Sequence, residues 1–500
     1  MAETLYDLVV IGGGINGTGI AADAAGRGLT VLLAEADDLA GATSSASSKL
    51  IHGGLRYLEQ FAVRLVREAL AEREVLLAKA PHIVWPLRFV LPHADGMRAA
   101  PVLRAGLFVY DHLSARRTLG SSQALDLRRT AAGAPLKSNL SRGFSYWDCW
   151  VDDARLVVLN AVAARDKGAR ILTRTPVTAL TVDGPVWRVN LGSGSSTLTV
   201  NARAIVNAAG PWVQDVARLG LGVRNRPPPH LRLVKGSHIV LPRIAGADDA
   251  YIFQNSDGRV VFALPFEREF TLIGTTDTPY AGDPRRVAVT VEDETYLLDV
   301  ANRYFRAPLT AADIVWRYAG VRPLDDDGSD NPSKVSRDYR LELEAGAGLP
   351  ILHVIGGKIT TYRRLAEAAL DLLKPYVAMG PSWTAHATLP GGDVGKEGFE
   401  AWLAAFVARR PGFTPESLVR IARRYGTRAD LMLEKAQTET DLGPDLGGGL
   451  RPREVKFLKR EEWAQTADDV LWRRTKVGLH IPLEHCGEVA EHIQSLLDAV

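Results

Sequence analysis

Leu5-Tyr6-Asp7-Leu8-Val9-Val10-Ile11-Gly12-Gly13-Gly14-Ile15-Asn16-Gly17 is a short, nearly continuous apolar run that breaks directly into glycine. Such a run without polar alternation predicts a strand buried on both faces of a parallel sheet. Gly12, Gly14 and Gly17 satisfy G-x-G-x-x-G, and a helical stretch to Arg27 follows, with Gly28 as its stop. Ile15, Gly19, Ala22 and Gly26 recur at helical spacing, small enough to let helix and sheet approach closely. A second apolar strand, Thr30 to Ala34, ends at Glu35, twenty-one residues after Gly14. Each residue has a physical task. Gly12 makes the tight turn, Gly14 clears the space where a pyrophosphate meets backbone N–H groups, and Gly17 permits close packing. The helix N-terminus directs about half a positive charge at that anion, and Glu35 can accept from ribose hydroxyls. An acid there repels a 2′-phosphate, so NADP is disfavoured. The stretch predicts a dinucleotide site.

Five hundred residues exceed one ordinary hydrophobic core, so two or three domains are expected. With 46% hydrophobic and 24% charged residues the composition is that of a globular protein, not a disordered or collagenous chain. Sixty basic residues against fifty-eight acidic leave +2, which argues against a nucleic-acid partner. Cys149 and Cys486 are too few for a disulfide framework or a zinc site of their own, and fit a reducing compartment. No run of eighteen apolar residues is present. Glu3 and Asp7, with no basic cluster ahead of the apolar stretch, do not make a secretory signal. A cytoplasmic location is expected, with contact to a membrane surface left open.

After Glu35 the chain reads Ala40-Gly41-Ala42-Thr43-Ser44-Ser45-Ala46-Ser47-Ser48-Lys49-Leu50-Ile51-His52-Gly53-Gly54-Leu55-Arg56-Tyr57. On composition alone this could be a flexible linker. Its position instead puts hydroxyl donors beside a cofactor longer than NAD. The run 12–28 (GGGINGTGIAADAAGRG) and the run 42–59 (ATSSASSKLIHGGLRYLE) stand with DCWVDDARL at 148–156 and KGSHIVLP at 235–242. GTTDTPY at 274–280, GVRPL at 320–324, SRDY at 336–339 and GGKITTYR at 356–363 complete the set, in order along the whole chain. Together these resemble the FAD-dependent glycerol-3-phosphate dehydrogenase family. The resemblance implies FAD as cofactor and oxidation of sn-glycerol 3-phosphate to dihydroxyacetone phosphate. It also implies electrons passed to a membrane quinone, from a protein peripherally attached to the cytoplasmic membrane surface. A homodimer is expected, though no residue in the sequence points to it. Three alternatives differ in chemistry: a glycerol-phosphate oxidase using dioxygen, an amine or amino-acid oxidase of the same superfamily, and a non-catalytic flavin-binding module.

The implied architecture is α/β: a Rossmann-like FAD-binding domain, an inserted mixed-sheet substrate domain of the amino-acid-oxidase type, and an all-helical C-terminal domain. The pattern assigns 1–90, 145–228 and 335–388 to the first, 91–144 and 229–334 to the second, and 389–500 to the third. Residues 61–79 read as an amphipathic helix, and 169–209 as short strands ending in a buried strand at Gly210. Strands are expected at 231–241, 260–264, 270–275, 314–318 and 349–355, and helices at 292–304 and 359–373. Thr414, Pro415 and Gly426 mark cap, first turn and stop of one helix, Thr427 the cap of the next. A long segment 453–476 and a helix from 484 follow.

For the dinucleotide, the candidate residues are Gly12, Gly14, Ile15, Asn16, Gly17, Glu35, Thr43, Ser44, Ser45, Ser48, Leu50, His52, Gly54, Gly210, Gly357, Lys358 and Thr360. Oxidising a secondary alcohol needs a base for the hydroxyl proton, cations for the phosphate, and stabilisation of charge arriving on the cofactor. The catalytic candidates are His52 and its rival His238, either of which can be neutral near pH 7, and Arg322, aimed by the proline that follows it. Substrate binding is expected from Arg56, whose fork suits phosphate, and from Tyr57, Lys235, Arg337 and Lys358. Bland readings remain beside these: an ordinary core histidine, a surface lysine at 235, an Arg337–Asp338 ion pair. Lys358 at a helix start is unfavourable unless an anion lies in front of it. Asp148, Asp152 and Asp153 read as cap and salt-bridge groups, and no metal is expected.

Residues 97–117 interleave Val102, Leu107, Phe108 and Val109 with Arg98, Arg104, Arg116 and Arg117, at net +3 after Asp111. That is the pattern of a segment lying on anionic lipid. A core helix with snorkelling arginines shows it too.

Overall fold

The computed structural model describes residues 4–60, 62–94, 97–115, 118–193, 196–220, 229–255, 257–325, 338–346 and 349–499. Its first sheet runs Tyr339–Gly346, Leu349–Gly356, Ser196–Asn207, Leu5–Ile11, Val31–Ala34, Arg170–Leu172, with the hairpin Val177–Asp183 and Val186–Ser193 on Ser196–Asn207. The four neighbours from Leu349–Gly356 to Val31–Ala34, and Arg170–Leu172 beyond them, are parallel. Leu8, Val9 and Val10 are wholly buried, as an unalternating run requires. Helices Ile15–Gly26, Asp153–Asp166 and Tyr362–Leu373 bury their apolar faces in the same core as Leu8 and Val10. The hairpin packs with Val9 and Ile205 on the other face.

The second sheet is mixed and runs Thr278–Pro279, Leu231–Pro242, Phe270–Gly274, Val260–Phe266, Ala250–Gln254, Val84–Pro92, Arg142–Val151, Leu50–Ile51. Trp316–Asp325 pairs with Leu231–Pro242, and Gln123–Asp126 with Arg142–Val151. Helix Val291–Tyr304 covers one face, and Val63–Lys79 with Ala100–His112 the other. Residues 50–51, 84–90 and 145–151, assigned from sequence to the first domain, are therefore strands of the second sheet. Their partners lie far away in the chain, so periodicity could not place them. Pro227-Pro228-Pro229 reads in the sequence as the crossing into the second domain; of the three, Pro227 and Pro228 lie outside the described residues.

The C-terminal region is helical: Gly398–Ala408, Pro415–Tyr425, Ala429–Leu433, Pro452–Glu462 and Cys486–Asp498 surround Phe406, Leu418, Ile421, Leu458 and Ile493. Thr414 caps the second of these through Ser417 N–H, and Gly426, at φ +55°, ends it. Two expectations fail locally. Thr427 lies inside a short turn and donates to Asp393 instead of capping. The expected long segment breaks after Glu462, where Trp463 turns left-handed (φ +57°), and resumes as an irregular turn at Asp469–Arg474. Among the described residues no helix is long and apolar enough to cross a membrane.

His82 lies wholly buried between the helical layer and the rest, against Gly391 and Gly426. Burial, reinforced by Arg155, Arg423 and Arg428, pushes its pKa down to about 3. The unfolded chain therefore binds a proton between pH 6.5 and 3 that the folded chain refuses, so stability falls as pH drops through that window and is unaffected above it. At pH 5 the loss from this one group is about 2 kcal/mol. Urea midpoints at pH 7 and pH 5 for the native chain and His82→Phe are the check, with the variant losing less on acidification. Equal losses in the two would refute the assignment.

Candidate active site

The dinucleotide turn is shaped by contacts that exclude side chains. Gly12 has φ +114°, and a Cβ there would lie 2.5 Å from the Ala208 carbonyl oxygen; one on Gly17 would lie 1.9 Å from the Gly12 oxygen. Helix Ile15–Gly26 begins at Gly14 with no side-chain cap and no acid in its first turn. Such an N-terminus suits an anion. Ile15 N–H donates to Ser44 Oγ at 3.0 Å, and Asn16 donates to the Gly356 oxygen at 3.1 Å while its own buried Oδ1 has no hydrogen-bond partner among the described residues. Glu35 accepts from Gly13 N–H at 2.5 Å and Asp37 N–H at 2.7 Å. Burial raises its pKa, and those two donors only partly oppose the rise. The glycine cradle, the uncapped helix and the acid at the strand end fit an adenine dinucleotide.

The serine-rich loop is ordered by charge. Lys49 is fully buried, and its ammonium donates to Asp153 at 2.9 and 3.0 Å and to the Ser45 carbonyl at 3.0 Å. Ser47 Oγ donates to the same carboxylate at 2.7 Å. Asp152, the cap of helix Asp153–Asp166, would be raised by burial, but Lys476 and Lys49 hold it below the usual carboxylate range. Thr43 donates to the Val321 oxygen at 2.5 Å, Ser45 to Ala42, and Tyr318 to the Ser47 oxygen. The aspartates thus serve as cap and ion-pair groups. Lys49 was no candidate in the sequence, because its partner is 104 residues away.

Beyond the loop, Leu50 pairs with Trp150 in the second sheet. The His52 backbone exchanges hydrogen bonds with Thr360 Oγ1, and its ring meets Phe262 edge-on at 6.3 Å. Gly53 N–H donates to Tyr110 OH at 2.9 Å; that hydroxyl donates to Asp148, which also takes Arg73 at 2.6 Å. Gly54 has φ +80°, and a Cβ there would strike the Tyr57 ring at 2.3 Å and stand 3.4 Å from Lys358 Nζ. The Lys358 ammonium sits 3.7 Å from the Tyr57 ring centroid. Lys358 itself is extended and precedes a short turn, Ile359–Thr361, before helix Tyr362–Leu373, so it lies ahead of the helix rather than in its first turn. Gly356 and Gly357 both have positive φ, and Gly210, at φ +56°, opens a turn after the strand Ser196–Asn207.

The facing wall comes from the second sheet. Arg322 is held by Asp277, by Thr275 Oγ1 at 3.1 Å and by the Thr276 carbonyl at 3.1 Å. Its chain neighbours touch the first domain, Val321 through Thr43 and Pro323 beside Gly356, where a Cβ would lie 3.6 Å from the Pro323 oxygen. His238 Nε2 is 2.9 Å from Ser48 Oγ, its ring stacks on Tyr318 at 4.7 Å, and its Nδ1 has no partner among the described residues. Burial, with Lys49 and Arg322 adding to it, drives the His238 pKa well below the usual imidazole value. The group is neutral, a poor proton store and a good hydrogen-bonding partner. Lys235 goes elsewhere. Successive residues of a strand face opposite sides, and its ammonium lies buried on Asp293 at 2.6 Å, with Ser237 donating to the same carboxylate. That is an ion pair inside the second domain rather than a phosphate contact. The Arg56 side chain lies outside what the structure describes, within the turn Leu55–Gln60, and Arg337 is outside the described residues.

Residues 7–363 match a family profile described as FAD dependent oxidoreductase, and residues 382–498 one described as the C-terminal domain of alpha-glycerophosphate oxidase. The chain is 53% identical over 494 residues to a glycerol-3-phosphate dehydrogenase of Pseudomonas aeruginosa, covering 98% of this chain and 95% of that one. It is 50% identical over 480 residues to a D-erythritol 1-phosphate dehydrogenase of Brucella abortus, covering 95% of each. A crystal structure of the glycerol-3-phosphate dehydrogenase from Bacillus halodurans complexed with FAD superposes with a TM-score of 0.76 at 28% identity, covering 100% of this chain and 95% of that one.

Lys49→Met leaves Asp153 as a buried charge without its cation, a change that costs about 3–5 kcal/mol. Denaturant unfolding of the cofactor-loaded protein is expected to show a loss of that size, with cofactor released early in the transition. A loss below about 1 kcal/mol, the scale of an exposed pair, would mean that the ion pair does not order the loop.

Proposed function

The chain belongs to the FAD-dependent glycerol-3-phosphate dehydrogenase family, and on that footing we propose that it oxidises sn-glycerol 3-phosphate to dihydroxyacetone phosphate. The observation that carries the reading is the meeting of Pro323 with Gly356. It brings together the segments bearing Arg322 and Lys358, two cations on opposite walls at the cofactor turn. A phosphorylated polyol needs such a pair, since cations in a water-poor site are worth more than in solution.

FAD, when bound, supplies the acceptor for the carbon-bound hydrogen and its electron pair. Gly12, Gly14, Asn16 and Glu35 would hold its dinucleotide end, with Ser44, Ser45 and Ser48 along the loop and Gly357 and Thr360 at the far end. Arg322, its plane set by Asp277 and Thr275, binds the oxygen at the reacting carbon; its side chain remains 22% exposed, so substrate can reach it. Lys358 and Tyr57 form one surface that, with Arg56 and Arg337, takes the phosphate. His52 takes the hydroxyl proton on a ring nitrogen. His238, held neutral, orients through Ser48 rather than storing a proton. The electrons go to a membrane quinone in preference to dioxygen; the relatives described above carry the name dehydrogenase rather than oxidase, which speaks against dioxygen as acceptor.

The D-erythritol 1-phosphate relative makes chain length the sharpest question of substrate. Anaerobic addition of glycerol 3-phosphate is expected to bleach the flavin's visible absorbance faster than D-erythritol 1-phosphate does, with colour restored rapidly by a quinone and slowly by air. Bleaching by the four-carbon substrate alone moves the assignment to longer polyol phosphates, rapid return in air makes the protein an oxidase, and no bleaching removes the substrate reading. Arg322→Met is expected to lower kcat/KM about a hundredfold to a thousandfold, and His52→Gln to lower kcat at least about a hundredfold, both with FAD retained.

Peripheral attachment is proposed through helix Ala100–His112. Leu103, Leu107 and Tyr110 bury one side, while Val102, Phe108 and Val109 are 53%, 56% and 46% exposed, with Arg98 and Arg104 nearby. Arg116 and Arg117 lie outside the described residues. Co-sedimentation with anionic vesicles is expected to fall on Phe108→Asp and with added salt. Unchanged binding in that variant would place the anchor elsewhere.

A further inference from the structure

Asp469–His480 belongs to the C-terminal layer by chain order, yet its side chains reach out of that layer. Arg474 is wholly buried; its two terminal nitrogens donate to the two oxygens of Asp38 at 2.6 and 2.7 Å, and its guanidinium also bonds the Glu462 carbonyl at 2.7 and 3.1 Å. Arg473 Nε donates to the same Asp38 carboxylate at 2.6 Å, and its other end is held by Asp469. Asp469 takes Arg174 of the first domain at 2.8 Å. The segment and the first domain are thereby joined through buried charge.

Asp38 is three residues beyond Glu35, in the turn that closes over the dinucleotide glycines. Ala40 N–H donates to the Gly13 oxygen at 3.1 Å, and the Leu39 side chain would stand 3.0 Å from a Cβ on Gly13. A shift of Asp38 is therefore passed to the backbone that cradles the pyrophosphate. Two residues past Arg474, Lys476 Nζ is 3.5 Å from Asp152, beside the Asp153 carboxylate that orders Ser45–Lys49. On the other side, the Trp472 ring stacks on Trp316 at 4.8 Å with planes 12° apart. Trp316 is the first residue of the strand Trp316–Asp325, which carries Arg322. One short segment thus touches the ribose end of the cofactor site, the support of its serine loop and the strand of the substrate wall.

We propose that Asp469–His480 is a clamp that sets how tightly the chain holds FAD, with Arg473 and Arg474 as positioning residues acting through Asp38. A helical layer that only covered the sheet would need apolar contacts, not two guanidinium groups on one buried carboxylate of the dinucleotide turn. Coupling of this kind is reciprocal: if the clamp tightens FAD, FAD tightens the clamp by the same factor. The proposal rests on the family's FAD and not on the choice of substrate, so failure to oxidise glycerol 3-phosphate leaves it standing.

The full-length holoenzyme provides the test. Arg473→Gln leaves Arg474 on Asp38 and is the variant that keeps the fold. Its FAD dissociation constant, from flavin fluorescence on dilution, is expected to rise about tenfold or more, and Arg473→Lys to recover most of the loss. Leu497→Ala, a change in the helical core on helix Cys486–Asp498 that leaves every charged contact of the segment in place, serves as the control for general destabilisation and is expected to leave FAD affinity at the native value. Hydrogen exchange of residues 469–480, followed with and without FAD, is expected to be slower in the holoenzyme. Native FAD affinity in Arg473→Gln, an equal loss in Leu497→Ala, or exchange that ignores FAD would each overturn the clamp.

Discussion

Everything in the site hangs on one backbone contact: the turn at Gly12 pressed between the end of the strand Ser196–Asn207 and the first turn of helix Ile15–Gly26. Ala208 comes to within van der Waals reach of one side of Gly12 and Gly17 to the other, so no side chain fits at either glycine. The contact sets the helix axis against the parallel sheet, and with it where the helix N-terminus points. Asn16 then reaches the Gly356 carbonyl, so the last strand of the sheet is tied to the same turn. Gly356 in turn meets Pro323, which brings Arg322 in from the second sheet. A chain of short contacts, each requiring glycine or a fixed backbone, carries position from the dinucleotide turn to the substrate wall.

Buried charge does the remaining positioning. Lys49–Asp153, Arg155–Glu462, Arg363–Glu72 and Arg474–Asp38 are all nearly or wholly removed from water. Pairs of this kind repay their desolvation poorly, and apolar replacements of the same shape are often as stable. What they give here is geometry. Each accepts only one arrangement of donors and acceptors, whereas an apolar contact tolerates sliding. All four tie segments more than a hundred residues apart, and three hold elements that line or brace the cofactor site. Tyr110, Asp148 and Arg73 do the same behind Gly53, keeping the His52–Gly54 backbone fixed without any of them reaching the site itself.

The parts of this arrangement that are legible in sequence are those whose constraint is local. Gly12, Gly14, Gly17 and Glu35 are spaced by the geometry of one strand, one turn and one helix, and Thr414, Pro415 and Gly426 by the needs of helix ends. The strand 231–242 was legible as a strand, and its period of two already separates Lys235 from His238; reading both into one pocket ignored that alternation. Lys49 gave no signal, because a lysine in a serine-rich loop looks solvated until Asp153 is brought beside it. The transfer of 84–90 and 145–151 to the second sheet was hidden for the same reason, since which sheet a buried strand joins depends on partners distant in sequence. Trp463 broke a helix with neither glycine nor proline to announce it.

The two histidines show how placement alone gives chemically identical groups different surroundings. His238 and His52 approach the same region, the first packed against Gly274, whose strand partner Phe262 meets the second edge-on. His238 is enclosed, stacked on Tyr318, with Lys49 and Arg322 as its charged neighbours; a proton on it would add a third cation to a site already holding two, in a medium with little water to screen them. Burial first, then Lys49 behind the serine loop and Arg322 on the second sheet, deny His238 a proton. His52, by contrast, is half-buried and borne on a backbone locked to Thr360. The same sheet thus offers two imidazoles in different enclosure, one sealed under Tyr318 and one half-exposed beside Phe262.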